Sequence, residues 1–227
     1  ADAWRAGAEI HETRTGERRA ISLADGSVLT LNTRSRVQVW MTPQARRGPL
    51  LQGQALFDVA KDPARPFTVA GGPLEVTALG TQFDVRLDSG NARVVLLEGK
   101  VRVEPAERRG LSRLLPMLVR ETLSPGQQLT MNSGQRMSVT PADVEQAGSW
   151  RYGRLIFRGE PLGAAVAEFN RYTGRQLVVA DESLAALPVH GVFSIEHPDN
   201  FLAALSAFYP IELKPRSPEL TELISRK

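Results

Sequence analysis

The sequence predicts two domains: an all-β domain of many short antiparallel strands, sandwich- or solenoid-like, over residues 1–140, and a small α+β domain of βαβ-βαβ order over residues 150–227. Three observations carry this reading. From Leu51 to Val103 the apolar residues fall largely at two-residue spacing, as in Phe67, Val69, Leu74, Val76, then Phe83, Val85, Leu87, then Val94, Leu96, Val101 and Val103. That is the period of half-buried strands, and Gly71-Gly72, Ser89-Gly90-Asn91 and Glu98-Gly99 divide it into hairpins. Beyond Trp150 the period changes: Leu162, Ala165, Val166 and Phe169 follow i, i+3, i+4, i+7, the stripe of an amphipathic helix. Between the two regimes, Thr140-Pro141-Ala142-Asp143 breaks the pattern, and residues 142–148 read as a short helical or irregular linker.

Residues 1–12 are of mixed polarity around Trp4 and read as a lead-in to the first strand. Ala20–Leu23 and Val28–Leu31 flank Asp25-Gly26, a strong hairpin signal, and Val37–Trp40 follows as the next strand. The array continues through Leu51–Val103, with Leu56, Val59 and the phenylalanines Phe57, Phe67 and Phe83 as core candidates. Gly80, between Leu79 and Thr81, marks a bend or a close backbone approach. Residues 105–122 interrupt the spacing with four arginines among Leu111, Leu114, Leu115, Met117, Leu118 and Val119, and read as an enlarged hairpin connection. Leu123–Val139 supplies two more strands around Pro125-Gly126 and Ser133-Gly134.

In the second region, Arg154–Phe157 reads as a strand, Pro161 as the first residue of a helix and Gly174 as its stop. A strand at Gln176–Ala180, a turn at Asp181–Ala186 and a strand at Val189–Ile195 come next. A helix is expected over Pro198–Phe208, with Phe201, Leu202, Leu205, Phe208 and Tyr209 on its apolar side and Pro210 ending it. Ile211–Lys214 is again a strand, and Leu220–Ser225 reads as a last edge strand or a frayed tail.

The 227 residues are 42% hydrophobic, enough for an ordinary core. A net charge of +3 is small for this length, and the arginines are interleaved with acids; with 6% aromatic residues and no recognisable nucleic-acid-binding motif, a nucleic-acid partner is not expected. There is no cysteine, which excludes disulfides, thiolate metal sites and cysteine nucleophiles. The longest apolar runs fall far short of the roughly 20 residues that cross a bilayer.

Several fragments occur in an order that resembles a known family. They are Thr15-Gly16-Glu17-Arg18-Arg19, Leu23-Ala24-Asp25-Gly26-Ser27, Leu31-Asn32, Gly53-Gln54-Ala55-Leu56-Phe57-Asp58-Val59, Pro66-Phe67, Ala78-Leu79-Gly80-Thr81-Gln82-Phe83-Asp84-Val85, Leu97-Glu98-Gly99 and Pro125-Gly126-Gln127. Over roughly residues 10–140 this set resembles the periplasmic region of FecR-type anti-sigma factors, inner-membrane partners of TonB-dependent iron transporters. Residues Gly153-Arg154-Leu155-Ile156-Phe157, Pro161-Leu162, Phe169-Asn170-Arg171-Tyr172, Gly191-Val192-Phe193 and Phe201-Leu202-Ala203-Ala204-Leu205 resemble the secretin/TonB short N-terminal domain that commonly follows it. The resemblance implies a periplasmic sensor within a single-pass inner-membrane protein, with a cytoplasmic segment and a transmembrane helix upstream of Ala1. Its implied partners are the periplasmic signalling domain of a TonB-dependent transporter, an ECF sigma factor reached through the cytoplasmic part, and the periplasmic and intramembrane proteases that release the sigma factor. Neither a cofactor nor direct metal binding is implied.

The residues themselves agree that catalysis is not expected. His11, His190 and His197 stand in none of the spacings that gather three or four metal ligands. Ser22, Ser27 and Ser124 lack a nucleophile elbow, and Gly71-Gly72 and Gly80-Thr81 lie in no phosphate-binding loop. Asp58, Asp62, Asp84, Asp88 and Glu98 read as turn and solvent-facing acids rather than an acid–base pair. The rival reading is a periplasmic glycan- or small-molecule-binding β-domain. For partner binding the candidates are the strand edges carrying Phe193 and Ile195 and carrying Ile211 and Leu213, and the apolar-basic loop with Arg113, Leu114 and Leu115.

Overall fold

A computed structural model describes residues 8–106, 120–132 and 136–226. The chain divides into two compact units, Ala1–Arg14 with Arg18–Gly148, and Thr15–Glu17 with Ser149–Lys227.

The first unit is built from two sheets over one core. One sheet contains β1 (Glu9–Glu12), β4 (Arg36–Met41), β5 (Arg46–Arg47), β6 (Leu50–Gln52), β8 (Phe67–Gly71), β9 (Leu74–Ala78), β12 (Val101–Pro105) and β13 (Glu121–Leu123). They run in the order β1-β4-β5-β8-β9-β12-β13, with β6 beside β4 and β8. The other contains β2 (Arg19–Ser22), β3 (Val28–Leu31), β7 (Gln54–Asp58), β10 (Gln82–Asp88), β11 (Asn91–Glu98), β14 (Gln127–Met131) and β15 (Met137–Pro141), ordered β15-β14-β11-β10-β7-β3-β2. The two sheets contribute to one continuous core, with Phe57 stacked on Phe83 at 5.2 Å and edge-on to Phe67 at 6.1 Å. The arrangement is therefore a sandwich.

Two expectations for this unit need correction. Pairing is not antiparallel throughout, since β5 and β6 each run parallel to β8. The reason is local: β5 and β6 fold back as antiparallel partners of β4, and the chain passes through β7 in the other sheet before it enters β8, which then runs alongside both. Nor does β7 alternate, for Gln54, Ala55, Leu56 and Phe57 are all buried. It lies between β3 and β10, inside its sheet, and its Gln54 and Leu56 are buried beside Asp84 of β10 as its Ala55 and Phe57 are buried in the core, so both faces exclude water at this strand. The short helix α1 (Val144–Gly148) follows β15. Gly80 has φ +146°, and a Cβ there would stand 2.8 Å from the Lys61 backbone, which is the close approach expected of it.

In the second unit a 3-10 turn at Ser149–Tyr152 leads into β16 (Arg154–Pro161), α2 (Leu162–Asn170), β17 (Gln176–Val179), α3 (Glu182–Ala185), β18 (Pro188–Ser194), α4 (Pro198–Phe208), β19 (Ile211–Ser217) and β20 (Leu220–Ser225). The strands form two sheets, β16-β18 antiparallel and β17-β20-β19 mixed. Consecutive βαβ strands therefore fall in different sheets. Leu220–Ser225 is no edge or tail: β20 lies between β17, to which it is parallel, and β19, to which it is antiparallel.

Helix boundaries also moved. β16 runs on through a bulge between Arg158 and Glu160, so that Pro161 ends the strand and caps α2 from outside rather than opening it. α2 stops at Asn170, short of Gly174, and the Asp181–Ala186 turn contains the single helical turn α3. α4 has the expected span, but Phe208 is 83% exposed: it continues the stripe of Phe201 and Leu205 past the end of the core.

Candidate protein-binding site

Many of the ordered fragments of the first unit turn out to be internal scaffolding. Arg46 is 1% exposed, although arginine is almost never fully buried without partners. Its Nη1 donates to Asp25 Oδ2 at 2.8 Å and to the Ala60 carbonyl at 2.9 Å, and its Nε donates to the Arg65 carbonyl at 2.7 Å. Ser27 in turn donates its hydroxyl to Asp25 and accepts the Ala60 N–H. Burial raises the Asp25 carboxyl, but the Arg46 guanidinium and the Ser27 N–H and hydroxyl together lower it further, leaving it below its ordinary value of 3.8. A second buried network links three strand residues. Asn32 Nδ2 donates to Gln54 Oε1 at 2.9 Å, and Gln54 Nε2 lies 3.0 Å from both carboxylate oxygens of Asp84, which is entirely buried. Asp25, Asn32, Gln54 and Asp84 thus hold strands and turns together, and none of the four reaches the surface as a contact.

Among the described residues no three His, Cys, Asp or Glu side chains are grouped to hold a metal ion. His11 lies on β1, His190 on β18 and His197 immediately before α4, on three separate elements.

The second unit is centred on four phenylalanines. Phe169 stacks on Phe201 at 4.0 Å, Phe193 stands edge-on to Phe201 at 5.0 Å, and Phe157 lies 6.0 Å from Phe193. Sequence reasoning placed Phe193 and Ile195 at a strand edge. The Phe193 ring instead points into this cluster, and Ile195 is buried just beyond the end of β18. Ile211 is fully buried, while Leu213, two residues on, is half-buried. What these elements offer outward is their backbone and their alternate side chains. Arg113, Leu114 and Leu115 lie outside the described residues.

Gly191 makes the geometry of β18 possible. Its φ is +147°, and the Phe193 ring lies 2.9 Å from where a Cβ would be, so the ring folds back beneath the strand and no side chain intervenes at that point. On the opposite face His190 and Val192 are exposed.

Some surface residues were missed by sequence reasoning. Tyr152 is exposed, with the guanidinium groups of Arg151 and Arg154 at 4.7 and 5.9 Å from its ring. Asn170 and Arg226 reach the strand edges, as described below. Of these, Arg154 and Asn170 lay in noted fragments, Gly153-Arg154-Leu155-Ile156-Phe157 and Phe169-Asn170-Arg171-Tyr172, and only as markers of resemblance.

The fold is thus a two-sheet β unit followed by an α+β unit with split sheets, and the surfaces it leaves for binding are strand edges and aromatic side chains. Residues 9–102 match the family model described as FecR protein. Two crystal structures of a candidate anti-sigma factor from Parabacteroides distasonis ATCC 8503 share the fold. At 1.65 Å the likeness has a TM-score of 0.78 and 20% identity, covering 96% of this chain and 100% of that one. At 2.50 Å the TM-score is 0.76 and the identity 21%, covering 97% and 100%. No curated protein sequence matches the chain.

Proposed function

We propose that this chain is the periplasmic sensing region of a membrane-bound anti-sigma regulator. Its binding partner is the periplasmic signalling domain of a TonB-dependent outer-membrane transporter. Engagement of that domain reports that iron, as a siderophore complex, is available. Regulated proteolysis by periplasmic and intramembrane proteases then releases an ECF sigma factor held by the cytoplasmic part of the protein. The observation that carries the proposal is the FecR match over residues 9–102, and the likeness to the candidate anti-sigma factor over nearly the whole chain supports it. In this reading residues 150–227 form a domain of the secretin/TonB short N-terminal type and receive the partner. The mixture of a fixed β scaffold and a smaller unit with accessible strand edges suits recognition by main-chain pairing.

The test is direct binding, by calorimetry, between this chain and the signalling domain of the TonB-dependent transporter whose gene neighbours its own. A saturable complex with one signalling domain per chain is expected. Absence of any complex with that domain, with the neighbouring genes encoding neither a transporter nor a sigma factor, would reject the proposal.

A further inference from the structure

The two sheets of the second unit have four outer edges, and on three of them side chains or a proline occupy the edge. On β17, the N–H groups of Gln176 and Ala180 bond to the Glu219 and Leu223 carbonyls, which turns Leu177 outward. The Asn170 carboxamide takes both outward groups of Leu177, donating to its carbonyl and accepting its N–H, each at 2.8 Å. On β19, the Arg226 N–H bonds to the Pro210 carbonyl, so alternation turns Ile211, Leu213 and Pro215 outward. The Ile211 N–H bonds to the Tyr209 carbonyl, the Ile211 carbonyl accepts the Arg226 guanidinium at 2.9 Å, and Pro215 has no N–H to offer. On β16 the Arg158 N–H donates to the Glu160 carboxylate across the bulge.

β18 is different. The Ile195 N–H bonds to the Gly153 carbonyl, and alternation back along the strand leaves the N–H and carbonyl groups of His190, Val192 and Ser194 facing away from β16. No hydrogen bond among the described residues takes them. Edges that must stay unpaired usually bear charge, yet Pro188–Ser194 contains no Lys, Arg, Asp or Glu, and Val192 is 57% exposed. Beside the same strand lies a large apolar side chain with nothing to cover it in the core. The Tyr209 hydroxyl donates to the Pro188 carbonyl at 2.8 Å, which ties the end of α4, where Phe208 is exposed, to the start of β18.

We infer that the outer edge of β18 receives an extended segment of the partner protein as an added strand, uncharged where it pairs with His190–Ser194 and apolar on the side that meets Phe208. This rests on the reading of the chain as a receptor for a transporter's signalling domain, and it names the edge and the chemistry by which that domain is held. The neutral strand calls for a neutral partner strand, since a charge placed against Val192 would be desolvated with nothing opposite to pair with it.

Amide hydrogen exchange on the intact chain tests the premise without a partner. His190, Val192 and Ser194 should exchange at least about tenfold faster than Leu177 and Ile211, whose N–H groups are bonded. Adding the purified signalling domain of the neighbouring transporter should slow the three amides at least about tenfold. Val192→Pro, which removes one outward N–H, and the pair His190→Lys with Val192→Lys, which alters only exposed side chains, should each weaken binding at least about tenfold, whereas Glu212→Lys on β19 should change it by less than about twofold. Slow exchange of the three amides in the free chain, whether from an intramolecular cover or from a dimer, overturns the inference. So does tight binding that leaves the amides unprotected and is indifferent to the lysine pair, and in that case the receptor reading survives. Failure of the signalling domain to bind the unsubstituted chain overturns both.

Discussion

In the first unit, Arg46 heads the fully buried side chains by volume, and polar networks run through the interior; in the second, the centre is four phenylalanines, and the polar side chains that matter stand at the rims of the sheets. Both units have strand edges to manage, but they use polar groups to different ends. Asp25, Arg46, Gln54 and Asp84 fix one arrangement of turns and strands from within. Asn170 and Arg226 leave the core apolar and decide which edges stay accessible. The density of recognisable fragments in the first unit therefore marks where the fold is specified. In the proposed function, contact with a partner falls to a part of the chain whose identifying residues are fewer.

The largest expected effect sets the two cores against each other. Phe83→Ala should lower the stability of the first unit by about 3–5 kcal/mol, and Phe201→Ala that of the second by a similar amount, because each leaves a cavity in a stack. Thermal unfolding followed by hydrogen exchange should show each loss confined to its own unit. Loss of protection across both units from either substitution would show that they are one cooperative body.

Next comes the buried ion pair. Arg46→Ala strands the Asp25 carboxylate and the Ala60 and Arg65 carbonyls, at a cost of about 3 kcal/mol. The linked pH effect has a definite sign. The Asp25 carboxyl is held below its unfolded value of 3.8, so its contribution is present above that pH and is lost as pH falls through the lower folded value. The stability difference between the unsubstituted chain and Asp25→Asn, measured by denaturation in the first unit, should therefore shrink as pH drops below about 4. A difference that grows with acid would refute the assignment. Gly80→Val, which combines an unfavourable φ with a clash at Lys61, should cost about 1–3 kcal/mol.

How much of this could be read from residues alone depends on the type of signal. The strands of the first unit follow a two-residue period because one face of each meets the shared core, and the phenylalanines marked by that period, Phe67 and Phe83, are both fully buried. β7 escaped the rule because the outward face of the sheet is also covered at its Gln54 and Leu56, which no local period reports. In the second unit the apolar stripe located α4 correctly, yet the same stripe misplaced Phe208, since periodicity cannot tell where the core beneath a helix ends. The place of β20 between β17 and β19 was hidden for a related reason: Thr221 and Leu223 alternate as an edge strand would, and sheet order is set by distant pairing. The roles of Arg46 and Arg226 leave no local pattern, because the carbonyls they bind come from segments remote in sequence.

The smallest expected change in stability probes the edges most sharply. Asn170 is half-buried and makes two hydrogen bonds to Leu177, so Asn170→Ala should cost only about 1–2 kcal/mol. Its main consequence lies elsewhere. Without the carboxamide, the Leu177 N–H and carbonyl face solvent beside Val178, which is already 45% exposed, and β17 becomes a second neutral, apolar edge. Hydrogen exchange at Leu177 should accelerate, and the variant should self-associate at concentrations where the unsubstituted chain does not, as measured by light scattering. Asn170→Asp separates the two bonds: the carboxylate still accepts the Leu177 N–H but repels the Leu177 carbonyl, to which the Asn170 amide donates, so the amide should remain protected while stability falls. If Asn170→Ala exchanges and scatters like the unsubstituted chain, the carboxamide is not what keeps β17 closed, and the contrast between a guarded edge and the open edge of β18 loses one of its supports.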